Sequence, residues 1–396
     1  MDRREAVIVG AARTPIGGFQ GALRDLSATE LGSIAVREAL LRARLSAAEV
    51  DEVIMGNVLS AGLGQAPARQ AALGAGLSHT VGGTTINKVC GSGLVAVMMA
   101  ARMIRLGEAQ VVVAGGMESM SNAPYLLPGA RDGLRMGHAA ALDSMIKDGL
   151  WDAYNDFHMG AAAELCADKF AISRQEQDEF AAQSYERAQR AQRNGEFASE
   201  IVPVVTKNRG GKQVKAEIDE EVGKFDRARM GALRPAFRSD GTVTAGNASS
   251  ISDGAAAVAV MSSEKALAHG LKPLARIRAW SSAAREPEWF TVAPVPAIRK
   301  LLDGCGLEIK SVDLFEINEA FAASSIAVNR QLDLDPAKVN VRGGAIALGH
   351  PIGASGARIL TSLLYALRDL GKQRGIASLC IGGGEAVALM VERPDR

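Results

Sequence analysis

Four cysteines in 396 residues, Cys90, Cys166, Cys305 and Cys380, contain no CxxC pair. They are too sparse for a disulfide framework or a zinc cage, so a reducing, cytoplasmic setting and no metal site are expected. Net charge is almost absent. Lys and Arg total 45 against 44 Asp and Glu, which leaves no basic field to track a phosphate backbone and argues against nucleic acid as a partner. No apolar run approaches the roughly 18 residues that span a bilayer, so no membrane partner is expected either. The start, Met1-Asp2-Arg3-Arg4-Glu5 and then Ala6-Val7-Ile8-Val9-Gly10, mixes charges and soon meets Arg13 and Pro15. It reads as a first strand rather than a signal peptide. Histidine is scarce too, five in all, so few side chains can serve as bases near neutral pH.

What is present is an ordinary globular composition, 47% hydrophobic and 22% charged, in a chain longer than one hydrophobic core usually grows. Strand and helix patterns alternate from the start: strand at Ala6–Ala11, helix at Thr29–Ala43, strand at Glu52–Met55, helix at Gln65–Leu73, a helix after Cys90, and strand at Val111–Ala114. That alternation predicts α/β layers around a largely buried sheet. From Ser121 to Thr242 prolines and scattered glycines interrupt the pattern, and a long polar helix, Ser173–Asn194, opens with the capping-box pair Ser173 and Glu176. The expected organisation is an N-terminal half, 1–120, completed by about 243–270, an inserted loop domain at 121–242, and a C-terminal half at 271–396.

The early pattern returns after Gly270. Helix, break, Val-Asp step and strand run from Val36 to Ile54 and again from Ala297 to Phe315, the strands ending at Asn57 and Asn318. Cys90-Gly91-Ser92-Gly93, helix, and Val111–Glu118 match Gly353-Ala354-Ser355-Gly356, helix, and Ala377–Glu385. Two similar α/β halves follow, with a site expected at their seam, where the Cys90 turn faces Asn318, His350 and Cys380.

Cys90 precedes an apolar helix, where unpaired N–H groups and the helix dipole favour a thiolate. The same position also suits a small core cysteine. His350, in the Gly-rich turn Gly349-His350-Pro351-Ile352-Gly353, is either a satisfied turn residue or a base for Cys90. Cys380 precedes three glycines, where backbone N–H groups can converge on an oxyanion, and a second thiol becomes useful if a carbon acid must be deprotonated. Asn318 can cap a helix or hold a water or carbonyl oxygen. Cys166 and Cys305 lack a neighbouring base and read as structural.

Together, Asn87-Lys88-Val89-Cys90-Gly91-Ser92-Gly93, Asn318-Glu319-Ala320-Phe321, Gly349-His350-Pro351-Ile352-Gly353 and Cys380-Ile381-Gly382-Gly383-Gly384 resemble the thiolase family, in the branch that handles acetoacetyl-CoA. The likeness runs from Arg13-Thr14-Pro15-Ile16-Gly17 to the end of the chain. It implies duplicated α/β halves in five layers (αβαβα) with an inserted loop domain. It also implies a reversible Claisen condensation of two acetyl-CoA to acetoacetyl-CoA and CoA by a ping-pong route. In that scheme Cys90 carries the acetyl group, His350 activates it, and Cys380 moves the α-proton of the second acetyl-CoA. One oxyanion hole comprises His350 and a water on Asn318; the other comprises the N–H groups of Cys90 and Gly382. No cofactor is implied, coenzyme A thioesters being substrates.

The resemblance assigns coenzyme A and acyl contacts to Leu150, His158, Met159, Phe237, Ala245 and Ser249, with Ala320 and Phe321 beside the thioester. Met159 is bulky there and suits a short acyl chain, although it also suits plain core filling. Relatives often carry an Arg after the Asp-Glu pair of this loop, where this chain has Val222-Gly223; Lys224, Arg227 and Arg229 are the available cations. Ser121–Asp143, with Arg131 and Arg135, resembles a loop that joins dimers, so a homotetramer is expected. The alternatives are a degradative 3-ketoacyl-CoA thiolase, a decarboxylating condensing enzyme, which would not need Cys380, and a non-catalytic acyl-CoA binder.

Overall fold

A computed structural model describes residues 4–207 and 211–394. Strand β1 (Ala6–Arg13) is buried along its whole length. Helix α1 (Ala28–Ala43) starts at Ser27, whose hydroxyl accepts from Glu30 N while the Glu30 carboxylate accepts from Ser27 N. Then come β2 (Glu52–Gly56), α2 (Pro67–Gly74), β3 (Gly82–Ile86), α3 (Ser92–Leu106) and β4 (Val111–Ser119). The insertion carries α4 (Met159–Lys169) and α5 (Arg174–Arg193), the latter capped by Ser173 and Glu176 as its sequence predicts. β5 (Ser252–Ser262) returns to the core. The second half is β6 (Ala275–Ala284), α6 (Pro294–Cys305), β7 (Leu314–Ile317), α7 (Ala322–Leu332), α8 (Ser355–Asp369), β8 (Arg374–Ile381) and β9 (Glu385–Glu392).

The strands form one ten-stranded sheet in the order β7-β8-β9-β6-β1-β5-β4-β2-β3, with the two-residue strand Gly17–Gly18 added against β5. The order repeats. In the first half β2 lies parallel to β4, then β5 and β1 follow antiparallel; in the second half β7 lies parallel to β8, then β9 and β6 follow antiparallel. Among the described residues the two sets of strands are joined by pairing of Val7 and Ile8 with Arg276 and Ala275.

Side-chain alternation turns that ribbon into layers, since neighbours along a strand face opposite sides. In β4, Val112 and Ala114 face a central cluster with α3 and α8, while Val111 and Val113 face α1 and α2. Leu379 and Ile381 of β8 join the same central cluster, whereas Ile376 faces the outer layer of α6. The resulting stack is helix, sheet, helix, sheet, helix. α3 and α8 approach closely at Gly93 and Gly356. A Cβ on Gly93 would lie 2.8 Å from Ala357 N, and one on Gly356 would overlap Leu94 N. Only glycine permits this contact, which brings the turns ahead of both helices to one seam.

α3 begins at Ser92, so Cys90 lies in the turn before the helix, as expected. Two local expectations change. β4 runs on to Ser119, whereas the matching strand β8 stops at Ile381 and turns through Gly382–Gly384. The stretch Val89–Leu106 is long and apolar enough to cross a membrane by composition, yet its helix is the central layer of this fold.

Candidate active site

Cys90 sits on a tight turn between β3 and α3. Val89 adopts φ +46, a left-handed conformation that a β-branched residue takes only under constraint. The constraints are local: Asn87 Oδ1 accepts from Val89 N at 2.9 Å, Ser92 Oγ accepts from Lys88 N at 2.8 Å, and Ser92 Oγ donates to Val89 O at 2.6 Å. The Cys90 side chain is half-buried. Burial pushes its thiol up to about 11, against the N–H groups of Gly382 and of Cys90 itself, which pull it down; the charge of Glu118 raises it further. The thiolate expected at a helix start is therefore not the resting form. The helix begins two residues later, and desolvation outweighs the local N–H groups.

His350 approaches from the second half and is 6% exposed. Its Nδ1 lies 2.6 Å from Ser355 Oγ, which itself donates to Pro351 O at 2.9 Å. A hydroxyl has one proton, so Nδ1–H must be the donor to Ser355 and the lone pair falls on Nε2. Burial, helped by Arg358, drives the imidazole down to about 3, which keeps it neutral. Asn318 Nδ2 lies 3.4 Å from His350 Nε2, and Asn318 Oδ1 is buried with no hydrogen-bond partner among the described residues. The helix-cap reading of Asn318 fails, because the residue capping α7 is Phe321. Cys380, 1% exposed near the end of β8, packs with Met159, Ala320 and Phe321. Burial raises its thiol above the ordinary range, and Cys90 adds to that.

These turns open on a cavity of about 510 Å³. Cys90, His350 and Gly382 line it, together with Leu150, His158, Met159, Phe237, Ala245, Ser249, Ala320 and Phe321. Asn318 and Cys380 are not among the lining residues but adjoin ones that are, Asn318 at His350 and Cys380 in the cluster of Met159, Ala320 and Phe321. The insertion contributes its aromatic side: His158 stacks on Phe237 with ring centroids 4.8 Å apart, and Phe237 meets Phe321 edge-on at 6.3 Å. His158 Nδ1 also accepts from Gly160 N at 3.0 Å and so caps α4. Gly160 has to be glycine, since a Cβ would enter the Phe237 ring.

Val89, Met120, Phe290, Ile352 and Glu221 also line the cavity and were not legible as site residues. Ile352 and Val89 stood beside His350 and Cys90 in the same motifs, and that adjacency was the available signal. Met120, Phe290 and Glu221 carry no sequence mark of their position. Among the cations of the 219–229 loop, Lys224 bonds the wall residue Glu221 at 2.7 Å and Glu220 at 3.1 Å. Arg227 is committed to Glu179 and Glu186, and Arg229, with its side chain 84% exposed, reaches Asp226 at 3.4 Å. Val222 is buried beneath the loop. Cys166 is fully buried on α4, with Sγ 3.8 Å from Ala323 O, and Cys305 ends α6; neither lines the cavity.

A neutral thiol, a neutral imidazole with a free lone pair, a second thiol and converging N–H groups can form and break a thioester and move a proton on carbon. Residues 6–264 match the family model for the thiolase N-terminal domain, and residues 271–393 that for the thiolase C-terminal domain. The chain is 56% identical to acetyl-CoA acetyltransferase 2 of Arabidopsis thaliana over 391 residues, covering 98% of this chain and 97% of the relative. It is 53% identical to an acetyl-CoA acetyltransferase of Pseudomonas aeruginosa, covering 98% of this chain and 100% of the relative. The crystal structure of the Bacillus anthracis acetyl-CoA acetyltransferase superposes with a TM-score of 0.96 at 45% identity, covering 98% of this chain and 99% of the other.

Proposed function

The chain belongs to the thiolase family, and on that premise we propose that it is an acetyl-CoA C-acetyltransferase that condenses two acetyl-CoA reversibly to acetoacetyl-CoA and CoA. The observation that carries this reading is the seam itself, where Cys90, the neutral His350 and the Gly382 turn with Cys380 behind it converge on one cavity. In the first half-reaction the Cys90 sulfur attacks the thioester carbonyl of acetyl-CoA. His350 Nε2 takes the thiol proton and returns it to the departing CoA sulfur. In the second, the Cys380 thiol first gives its proton to His350 Nε2, the resulting thiolate removes the α-proton of another acetyl-CoA, and the carbon so formed attacks acetyl-Cys90. Cys90 leaves as thiolate and takes the proton held on His350.

The N–H groups of Cys90 and Gly382 suit one oxyanion. His350 and a water on Asn318 suit the other, and the tautomer adds a condition to that role. Nε2 must carry a proton to donate, so it serves an oxygen that develops while His350 holds a proton. Leu150, His158, Phe237, Ala245 and Ser249 would receive the pantetheine arm of coenzyme A, with Ala320 and Phe321 beside the thioester. Lys224, tied to the wall residue Glu221, is the cation best placed to take the part of the missing Arg.

Met159, 7% exposed and on the cavity wall, supports a short acyl substrate over the degradative, long-chain reading. Comparing kcat/KM for cleavage of acetoacetyl-CoA and of a long-chain 3-ketoacyl-CoA tests this, with acetoacetyl-CoA expected to be strongly preferred. Preference for the long chain would overturn the assignment. Exposed Leu127, Leu134 and Met136 in the 121–143 segment support a tetramer joined through that loop. Light scattering should then give four chains, and a mass of two would contradict it.

A further inference from the structure

Asn57 and Glu118 stand at strand ends that the repeat singles out, yet the acetyl-transfer steps above use neither. Both are fully buried. The Glu118 carboxylate gathers four donors: Oε1 accepts from Asn57 Nδ2 at 2.8 Å and Leu59 N at 3.1 Å, and Oε2 accepts from Val58 N at 3.0 Å and Gly353 N at 2.9 Å. Three of these belong to the turn after β2 in the first half. The fourth comes from the second half, between His350 and Ser355. The same turn rests on bare backbone, because a Cβ on Gly116, two residues before Glu118, would collide with Gly353 O. Ser355, two residues beyond Gly353, holds His350 Nδ1 at 2.6 Å. Any shift of Gly353 is therefore passed along a short, hydrogen-bonded turn to the imidazole.

We propose that Glu118 is a positioning residue for His350, pinning the 350–355 turn of one half to a strand end of the other so that Nε2 stays directed at Cys90. This rests on the thiolase reading. The geometry calls for a carboxylate. Each oxygen serves two N–H groups, so a glutamine in either orientation would set its own NH₂ against two donors and leave buried N–H groups unpaired. Aspartate keeps the charge and both acceptors but withdraws them by one methylene.

A second role for the same residue is purely electrostatic, and it predicts the opposite sign. Burial raises the Glu118 carboxyl to about 7 against the pull of its N–H donors, and the charge it carries when ionised opposes ionisation of Cys90. If charge were all that mattered, removing it would make Cys90 more reactive. If pinning matters, removing it displaces the base and makes Cys90 less reactive.

The experiment uses the full-length protein, unaltered and as Glu118→Gln and Glu118→Asp. It reads single-turnover acetylation of Cys90 by acetyl-CoA, KM for acetoacetyl-CoA, and the rate at which iodoacetamide alkylates Cys90 at neutral pH. Glu118→Gln is expected to slow acetylation about 10- to 100-fold, the scale of an ångström-sized misplacement. KM should change little, because Met159, Phe237 and Phe321 lie on other elements. Alkylation should slow, and Glu118→Asp should recover part of both rates. Unchanged acetylation in Glu118→Gln, whatever its melting temperature, or faster alkylation, would overturn the proposal. If Glu118→Gln does not fold, Glu118→Asp decides alone: slower acetylation and alkylation support pinning, and rates equal to the unaltered protein refute it. Should the unaltered protein take no acetyl group, the thiolase reading falls, while the alkylation rates still decide between pinning and charge.

Discussion

Burial acts on Cys90 and His350 in opposite directions along the pKa scale with one consequence: both are neutral at rest. A thiol near 11 and an imidazole near 3 make a thiol–imidazole pair, not a thiolate–imidazolium pair, until a thioester arrives to take up the developing charge. Because the thiolate is the reactive form and rising pH creates it, alkylation of Cys90 without substrate should keep accelerating above pH 9 toward about 11. A plateau already reached near the ordinary cysteine value of about 8.5 would contradict this. The second thiol has a separate task. Cys380→Ser should leave acetylation of Cys90 largely intact and slow condensation by orders of magnitude, which single-turnover and steady-state rates resolve; equal loss of both would refute the division. The catalytic candidates were readable because each stands in a local motif of Cys, His, Asn and Gly. Their protonation states were not, since these depend on how deeply the fold buries each group and on charges that other elements bring beside it, Glu118 for Cys90 and Arg358 for His350.

At the scale of elements, duplication explains both the likeness and the difference of the halves. Asn57 and Asn318 each follow corresponding strands. Asn57 spends its side chain on Glu118, Met117 O and Ser60 Oγ, whereas Asn318, beside His350, has no hydrogen-bond partner for Oδ1 among the described residues. One copy braces the seam and the other is left for chemistry. The pairing was legible from periodicity and strand ends; the split was not, because it depends on Glu118, sixty-one positions away from Asn57. A further junction joins the insertion to the core. Arg13, at the end of β1 and fully buried, donates to Glu200 at 2.6 Å and to both oxygens of Asp219 at 2.7 and 2.8 Å. Removing the guanidinium leaves two carboxylates buried without their partner, so Arg13→Met should lower unfolding stability by about 3–5 kcal/mol, read from denaturant curves. A loss under 1 kcal/mol would mean that the junction relaxes or is hydrated.

In the whole molecule the two halves supply the reactive groups and the insertion closes the cavity over them. The two α/β halves and the place of the seam followed from alternation and repeat, because buried strands leave strong apolar patterns. The five layers were implied only by the family resemblance, and the strand order came with the structure. The cavity's other walls did not. Met120, Phe290 and Glu221 reach it from three distant segments, and nothing in their neighbours marks the convergence. The account stands on the claim that Cys90 carries the acyl group, and peptide mapping after brief exposure to acetyl-CoA tests it most directly. One acetyl group on Cys90, discharged when free CoA is added and absent in Cys90→Ala, is the predicted result. No acetyl adduct, or one on another residue, would contradict it.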